Sequence, residues 1–245
     1  MRVHVAETKG IMAESAASRA AELLRAAIAE HGSAALILAT GASQFEMLDI
    51  LTRADLAWDR VTVYHLDEYI GLAETHPASF RRYLRERFVD RVTALGAFVP
   101  VEGDAPDPTQ ECRRLGELIS RVRVDVACIG IGENGHLAFN DPPADFGTEE
   151  PYLVVNLDHA CRRQQWGEGW FATLDEVPKT AISMSVRQLL DSNELICIVP
   201  ESRKAKAVQA TLEGPITPMV PASILRTHPN TTIYLDRESS ALLRG

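Results

Sequence analysis

Residues 124–143 read VDVACIGIGENGHLAFNDPP. Val124 to Ile131 is a strand-length run, apolar on both faces, as a strand covered on both sides of a parallel sheet must be. Gly130, Gly132 and Gly135 then fall in the G-x-G-x-x-G spacing of a dinucleotide-binding turn, which needs a full helix after its last glycine. Pro142 and Pro143 stop any helix within a few residues, and the next apolar run, YLVVNL, begins at 152. The glycines are therefore expected to let the backbone turn sharply and to hold His136 at the mouth of a sheet, flanked by Glu133, Asn134 and Asp141. A lone histidine is more often structural, but one on a Gly-rich turn after a central strand is a candidate for chemistry.

Working outward, similar runs recur as AALILAT (34–40), VTVYHL (61–66), YLVVNL (152–157), LICIVP (195–200) and TTIYL (231–235). Between them, apolar residues at three- and four-residue spacing mark helices at 13–30, 44–53, 77–90, 108–122 and 202–213. This alternation predicts an α/β fold, a Rossmann-like three-layer sandwich with a mostly parallel central sheet. No Gly/Ser/Pro-rich linker interrupts it, so residues 1–245 are expected to form a single domain.

The composition agrees with a globular protein: of 245 residues 46% are hydrophobic and 24% charged. With 25 Lys+Arg against 34 Asp+Glu the net charge is −9, which argues against nucleic-acid and membrane-surface partners because both would be repelled. An anionic substrate would need a local basic pocket. Cys112, Cys128, Cys161 and Cys197 form no C-x-x-C pair, and the first residues, MRVHVAETKG, lack the apolar core of a signal peptide. A cytoplasmic location is expected.

Ligands of such sheets bind beyond the carboxyl ends of the strands. After AALILA comes Thr40-Gly41-Ala42-Ser43, whose backbone N–H groups at a helix start suit a phosphate; Ser43-x-x-Glu46 could equally be a capping box that needs no ligand. After VTVYHL come Asp67 and Glu68, at least one of which should face the crevice, where burial could raise its pKa toward that of a general base. Acidic pairs are also ordinary on surface loops. After LICIVP come Arg203, Lys204 and Lys206 in the first turns of a helix, a local conflict with the helix dipole that an anionic ligand would remove. Exposed side chains would also satisfy that pattern.

Together LDEYIGL with HPASF, GIGENGHLAFNDP, VPKTAISMS (177–185) and SRKAKAVQATLEGPITPMVPAS (202–223) resemble the glucosamine-6-phosphate deaminase (isomerase) family over roughly residues 10–235, with 6-phosphogluconolactonases as a more distant branch. The G-H-L-A-F-N-D-P phrase is the specific part and favours the deaminase branch. The resemblance implies a phosphorylated amino sugar as substrate and no metal or organic cofactor. It implies Asp67 as the base that moves a proton between C1 and C2, His136 as the ring-opening histidine, and Asp141 and Asn134 as its neighbours. Lys204 and Thr40 to Ser43 fall on the phosphate site. Arg162 or Arg163 is expected to replace a lid arginine on the phosphate, with Trp170 as a lid aromatic and Glu68 and Gly135 in the substrate-binding set. The resemblance also implies self-association, since the family often forms homo-oligomers. An isomerase and hydrolase activity releasing ammonia is expected; a lactonase-like hydrolase, or a phosphosugar sensor whose catalytic site has decayed, are the alternatives.

Overall fold

Residues 1–244 are described by a computed structural model; Gly245, the last residue of the expected domain, lies outside the described residues. The strands are β1 (Arg2–Ala6), β2 (Ala34–Leu38), β3 (Val61–His65), β4 (Asp67–Tyr69), β5 (Ala97–Val99), β6 (Val126–Ile129), β7 (Tyr152–Asn156), β8 (Thr180–Met184), β9 (Glu194–Val199) and β10 (Thr231–Asp236). The helices are α1 (Lys9–His31), α2 (Phe45–Leu51), α3 (Phe80–Arg87), α4 (Pro108–Ile119), α5 (His159–Gly167), α6 (Val186–Leu190) and α7 (Ala205–Glu213). Seven strands form one sheet in the order β1-β10-β9-β6-β2-β3-β5, every neighbouring pair parallel. None of the described helices is long and apolar enough to cross a membrane.

Side-chain alternation along β2 generates the layers. Leu36 and Leu38 pack with Leu24 of α1, Leu48 of α2 and Leu84 of α3 on one face. Ala35 and Ile37 pack with Leu115 of α4, Leu189 of α6 and Val208 of α7 on the other. All five residues of β2 and all four of β6 are buried, which is why these strands read as unbroken apolar runs. Helix α1 buries six alanines with Met12 and Leu24. It starts four residues before the expected boundary because the Thr8 hydroxyl accepts from Ile11 N–H at 3.2 Å.

Two features depart from the sequence reading. Strand β1 carries no apolar run because it is a sheet edge with four of its five residues exposed. The run at 152–157 does not join the parallel sheet: β7 pairs antiparallel with β8, and β8 antiparallel with β4, in a separate three-stranded sheet. The burial of β7 is mixed rather than complete, consistent with a sheet that has one open face. The small sheet places Asp67 opposite Ser183, so this carboxylate sits on a paired strand rather than in a loop.

Candidate active site

No helix follows the glycines after β6, and the next element is β7. The turn instead closes on itself: Gly132 N–H donates to His136 O at 3.0 Å, Gly135 N–H to Gly132 O at 3.0 Å, and His136 N–H to Asn134 Oδ1 at 3.1 Å. Gly135 sits at φ 86°, the left-handed region that favours glycine. Gly132 has a different role. A Cβ added there would lie 2.3 Å from both Cε1 and Nε2 of His136, so the missing side chain is the space the imidazole occupies.

His136 is buried, with Nδ1 3.1 Å from Asp141 Oδ1. The ring N–H is not aimed squarely at that oxygen, so the contact is a close electrostatic pairing rather than a well-aligned hydrogen bond. Burial alone would raise the Asp141 carboxyl, but His136, Asn134 and the Asp158 N–H together hold it below its ordinary value. Asn134 Nδ2 donates to Asp141 at 2.9 Å and Asp158 N–H donates to it at 2.8 Å. A carboxylate beside Nδ1 favours the tautomer that carries its proton on that nitrogen, with Nε2 making no hydrogen bond to a described residue.

A small cleft of about 70 Å³ lies at the strand ends. His136 and Asp67 both line it. No described residue donates to the Asp67 carboxylate, although Asp67 is only 5% exposed. Burial, and next the Glu68 carboxylate, push its pKa well above the usual range, as a general base requires. Glu68 points the other way, as adjacent strand residues do. Its Oε1 accepts from Tyr69 N–H at 3.0 Å and Phe80 N–H at 3.1 Å, and its Oε2 from Ser79 Oγ and Arg81 N–H at 2.8 Å each. Glu68 therefore anchors the N-terminus of α3 and does not contact the cleft, which corrects its placement in the substrate-binding set. Glu68→Ala should lower the unfolding free energy in urea by about 3–5 kcal/mol, because four buried donors and Arg81 lose their acceptor.

At the opposite wall, Gly41 (φ 101°) opens a 3-10 turn at Ala42–Gln44. Tyr83 Oη fixes the loop by donating to Gly41 O at 2.9 Å. Ser43 forms no cap on the following helix, and Glu46 instead lies 3.8 Å from Lys9 Nζ. The capping box is absent, and the Thr40-to-Ser43 loop faces the cleft. Lys204, on a 3-10 turn after β9, lines the same cleft. It is 4% exposed, its ammonium has no partner among the described residues, and burial lowers its pKa to about 8 despite the nearby Glu168 carboxylate.

Several expected site residues fall elsewhere. Arg162 donates to the carbonyls of Val177 (3.2 Å) and Leu174 (2.8 Å), and Arg163 is exposed outside the cleft. Neither reaches the phosphate wall. Trp170 packs against the core around Phe171 rather than over the cleft. Gly135 shapes the turn without lining the cleft, and Asn134 and Asp141 stand behind His136. The sequence reading missed Gln164, Gln165 and Glu168, which α5 and the residue after it bring to the rim. Gln164 Oε1 accepts from Glu133 N–H at 2.9 Å and Gln165 Oε1 from Tyr69 Oη at 2.8 Å. The adjacent polar pair inside a short helix was the one available signal.

His136, Asp141 and Cys161 bring potential metal ligands within 4.8 Å of one another. The His136–Asp141 contact accounts for two of them. Burial pushes the Cys161 thiol well above its ordinary value, so the thiolate that a metal needs is disfavoured.

A parallel α/β sheet that presents a buried carboxylate, an imidazole, a glycine-opened loop and a buried lysine at its strand ends has the layout of an acid–base enzyme for a small substrate. The sequence pattern of the family described as glucosamine-6-phosphate isomerases/6-phosphogluconolactonase matches residues 7–234, and the chain belongs to that family. A glucosamine-6-phosphate deaminase of Lactobacillus delbrueckii subsp. bulgaricus is 34% identical, over 92% of this chain and 94% of its own. One from Exiguobacterium sp. is 37% identical over 96% and 89%. A solved structure, described as a monomeric glucosamine-6-phosphate deaminase, superposes with a TM-score of 0.91 at 31% identity, covering 99% of this chain and 100% of that one. A 6-phosphogluconolactonase of Shewanella baltica shares the fold with a TM-score of 0.80 at 18% identity over 96% and 97%. The expectation of a hydrolase is corrected here: the relatives sharing a third of the sequence are deaminases, whereas the lactonase likeness extends to the fold alone.

Proposed function

We propose that this chain is a glucosamine-6-phosphate deaminase, converting glucosamine 6-phosphate to fructose 6-phosphate and ammonia. The observation that carries the reading is the Asp67 carboxylate, buried without a donor in the same cleft as His136, the Thr40-to-Ser43 loop and Lys204. Nε2 of His136 moves the ring-oxygen proton as the pyranose opens. Asp67 then removes the C2 proton and returns one to C1, and water enters at C2 as ammonia leaves. Asp141 and Asn134 keep the imidazole in the tautomer that this needs. Incubation with glucosamine 6-phosphate should yield fructose 6-phosphate and ammonia in equal amounts; no turnover would refute the assignment.

The Thr40-to-Ser43 loop and Lys204 are assigned to the phosphate. A charge-assisted contact is worth roughly 1.5–3 kcal/mol, so Lys204→Ala should raise KM by about one to two powers of ten. Lys206→Ala, an exposed neighbour, should change it far less. The Lys204 pKa of about 8 adds a pH test. The free enzyme loses this cation as pH rises through that value, so kcat/KM should fall on the alkaline side. Lys204→Arg, which stays protonated, should flatten that fall, and an unchanged profile would remove Lys204 from the phosphate site.

We further assign residues 1–245 to one domain and place the protein in the cytoplasm, which the four free, buried cysteines support. The family resemblance also supports self-association, although the solved relative is described as monomeric. Sedimentation at a mass above 26.9 kDa would support it.

A further inference from the structure

We propose that Arg203 is the second phosphate-binding cation of this site, taking the place that neither Arg162 nor Arg163 can fill; this deepens the phosphosugar reading and rests on it. Arg203 precedes Lys204 on the turn after β9 and lines the same cleft as the Thr40-to-Ser43 loop. Among the described residues, these are the only two cations of that lining. Its guanidinium is anchored at one end and loose at the other. Nε donates to Glu201 at 2.7 Å, and Glu201 is shared with Lys9 Nζ at 3.2 Å. Nη1 makes only the longer contacts to Glu133 (3.2 Å) and Glu168 (3.5 Å), and Nη2 has no partner among the described residues.

That geometry suits exchange. A phosphate held by the loop N–H groups and Lys204 would approach Glu133 and Glu168 and be repelled by both. Arg203 contacts both carboxylates and lines the cleft beside Glu168, and a planar guanidinium can donate two parallel hydrogen bonds to one phosphate. Turning its Nη groups to the phosphate keeps the Glu201 anchor, gives up only the longer Nη1 contacts to Glu133 and Glu168 and leaves the guanidinium charge beside both carboxylates. Two cations then face a dianion in a chain whose net charge is −9.

The test compares parent, Arg203→Gln, Arg203→Lys and the double variant Arg203→Gln/Glu168→Gln. Each is read by KM and kcat for glucosamine 6-phosphate, and by thermal-shift titration with inorganic phosphate. Arg203→Gln should raise KM and weaken phosphate binding at least tenfold with a much smaller fall in kcat. Arg203→Lys, which keeps the charge but not the fork, should lie between. The loss should persist in the double variant. Recovery to parent values there would mean that Arg203 only shields Glu168, and unchanged phosphate binding in Arg203→Gln would equally overturn the proposal. The phosphate titration needs no turnover, so it judges Arg203 even if glucosamine 6-phosphate proves not to be the substrate.

Discussion

Asp67→Asn is expected to lower kcat at least ~100-fold while leaving KM within a few-fold of the parent. A positioned general base contributes about 10²–10⁴ to the rate, and an amide of the same shape keeps the packing while losing basicity. The buried carboxylate has no described donor to lose, so the substitution should leave unfolding free energy unchanged or raised. That separates it from its neighbour: Glu68→Ala should unfold the protein more readily because the Glu68 carboxylate accepts four hydrogen bonds. A second signature concerns pH. Asp67 must be ionised to accept a proton and burial raises its pKa, so the acid limb of kcat/KM should lie above the ordinary aspartate range. Retention of most activity in Asp67→Asn would remove it from the proton-transfer role.

Gly132→Ala should be nearly as damaging without touching a charged group. The added methyl would sit 2.3 Å from the His136 ring, and the imidazole must move because the Gly132 backbone is held by its hydrogen bonds to His136 O and Gly135 N–H. A displacement of about 1 Å from the productive geometry can cost roughly 10²-fold in rate, and kcat should fall by that order with the melting temperature little changed. Gly130→Ala is the control. Its new Cβ would meet Gln44 Nε2 at 3.3 Å and Ile198 O and Ser43 Oγ at 3.5 Å each, away from the imidazole, so its loss in kcat should be clearly smaller. If the two variants behaved alike, Gly132 would not be the residue that seats His136.

Both candidate groups were legible because they follow buried strands, where apolar runs and glycine turns are local signals. The Thr40-to-Ser43 loop and Lys204 were visible for the same reason. Side-chain direction was less so, although period-two alternation from Asp67 to Glu68 already implies that only one of them faces the cleft. The α5 contribution was hidden because its contacts are distant: Gln165 meets Tyr69 across 96 positions and Gln164 meets Glu133 across 31. Arg162 looked available for a phosphate only because nothing in the sequence shows the carbonyls of Leu174 and Val177 turned toward it. The pairing of β7 with β8 was equally invisible, since α5 separates the two strands and neither run encodes its partner.

The assignment of Asp67 as the base that carries a proton from C2 to C1 is tested most directly by running the reaction in D2O and examining C1 of fructose 6-phosphate by NMR. A carboxylate that exchanges its proton with solvent between the two steps should leave deuterium at C1 in a substantial fraction of the product from the parent enzyme, and Asp67→Asn should form deuterated product at least ~100-fold more slowly. Product formed by Asp67→Asn at the rate of the parent, whatever its deuterium content, would mean that another group takes the C2 proton and would contradict that role for Asp67.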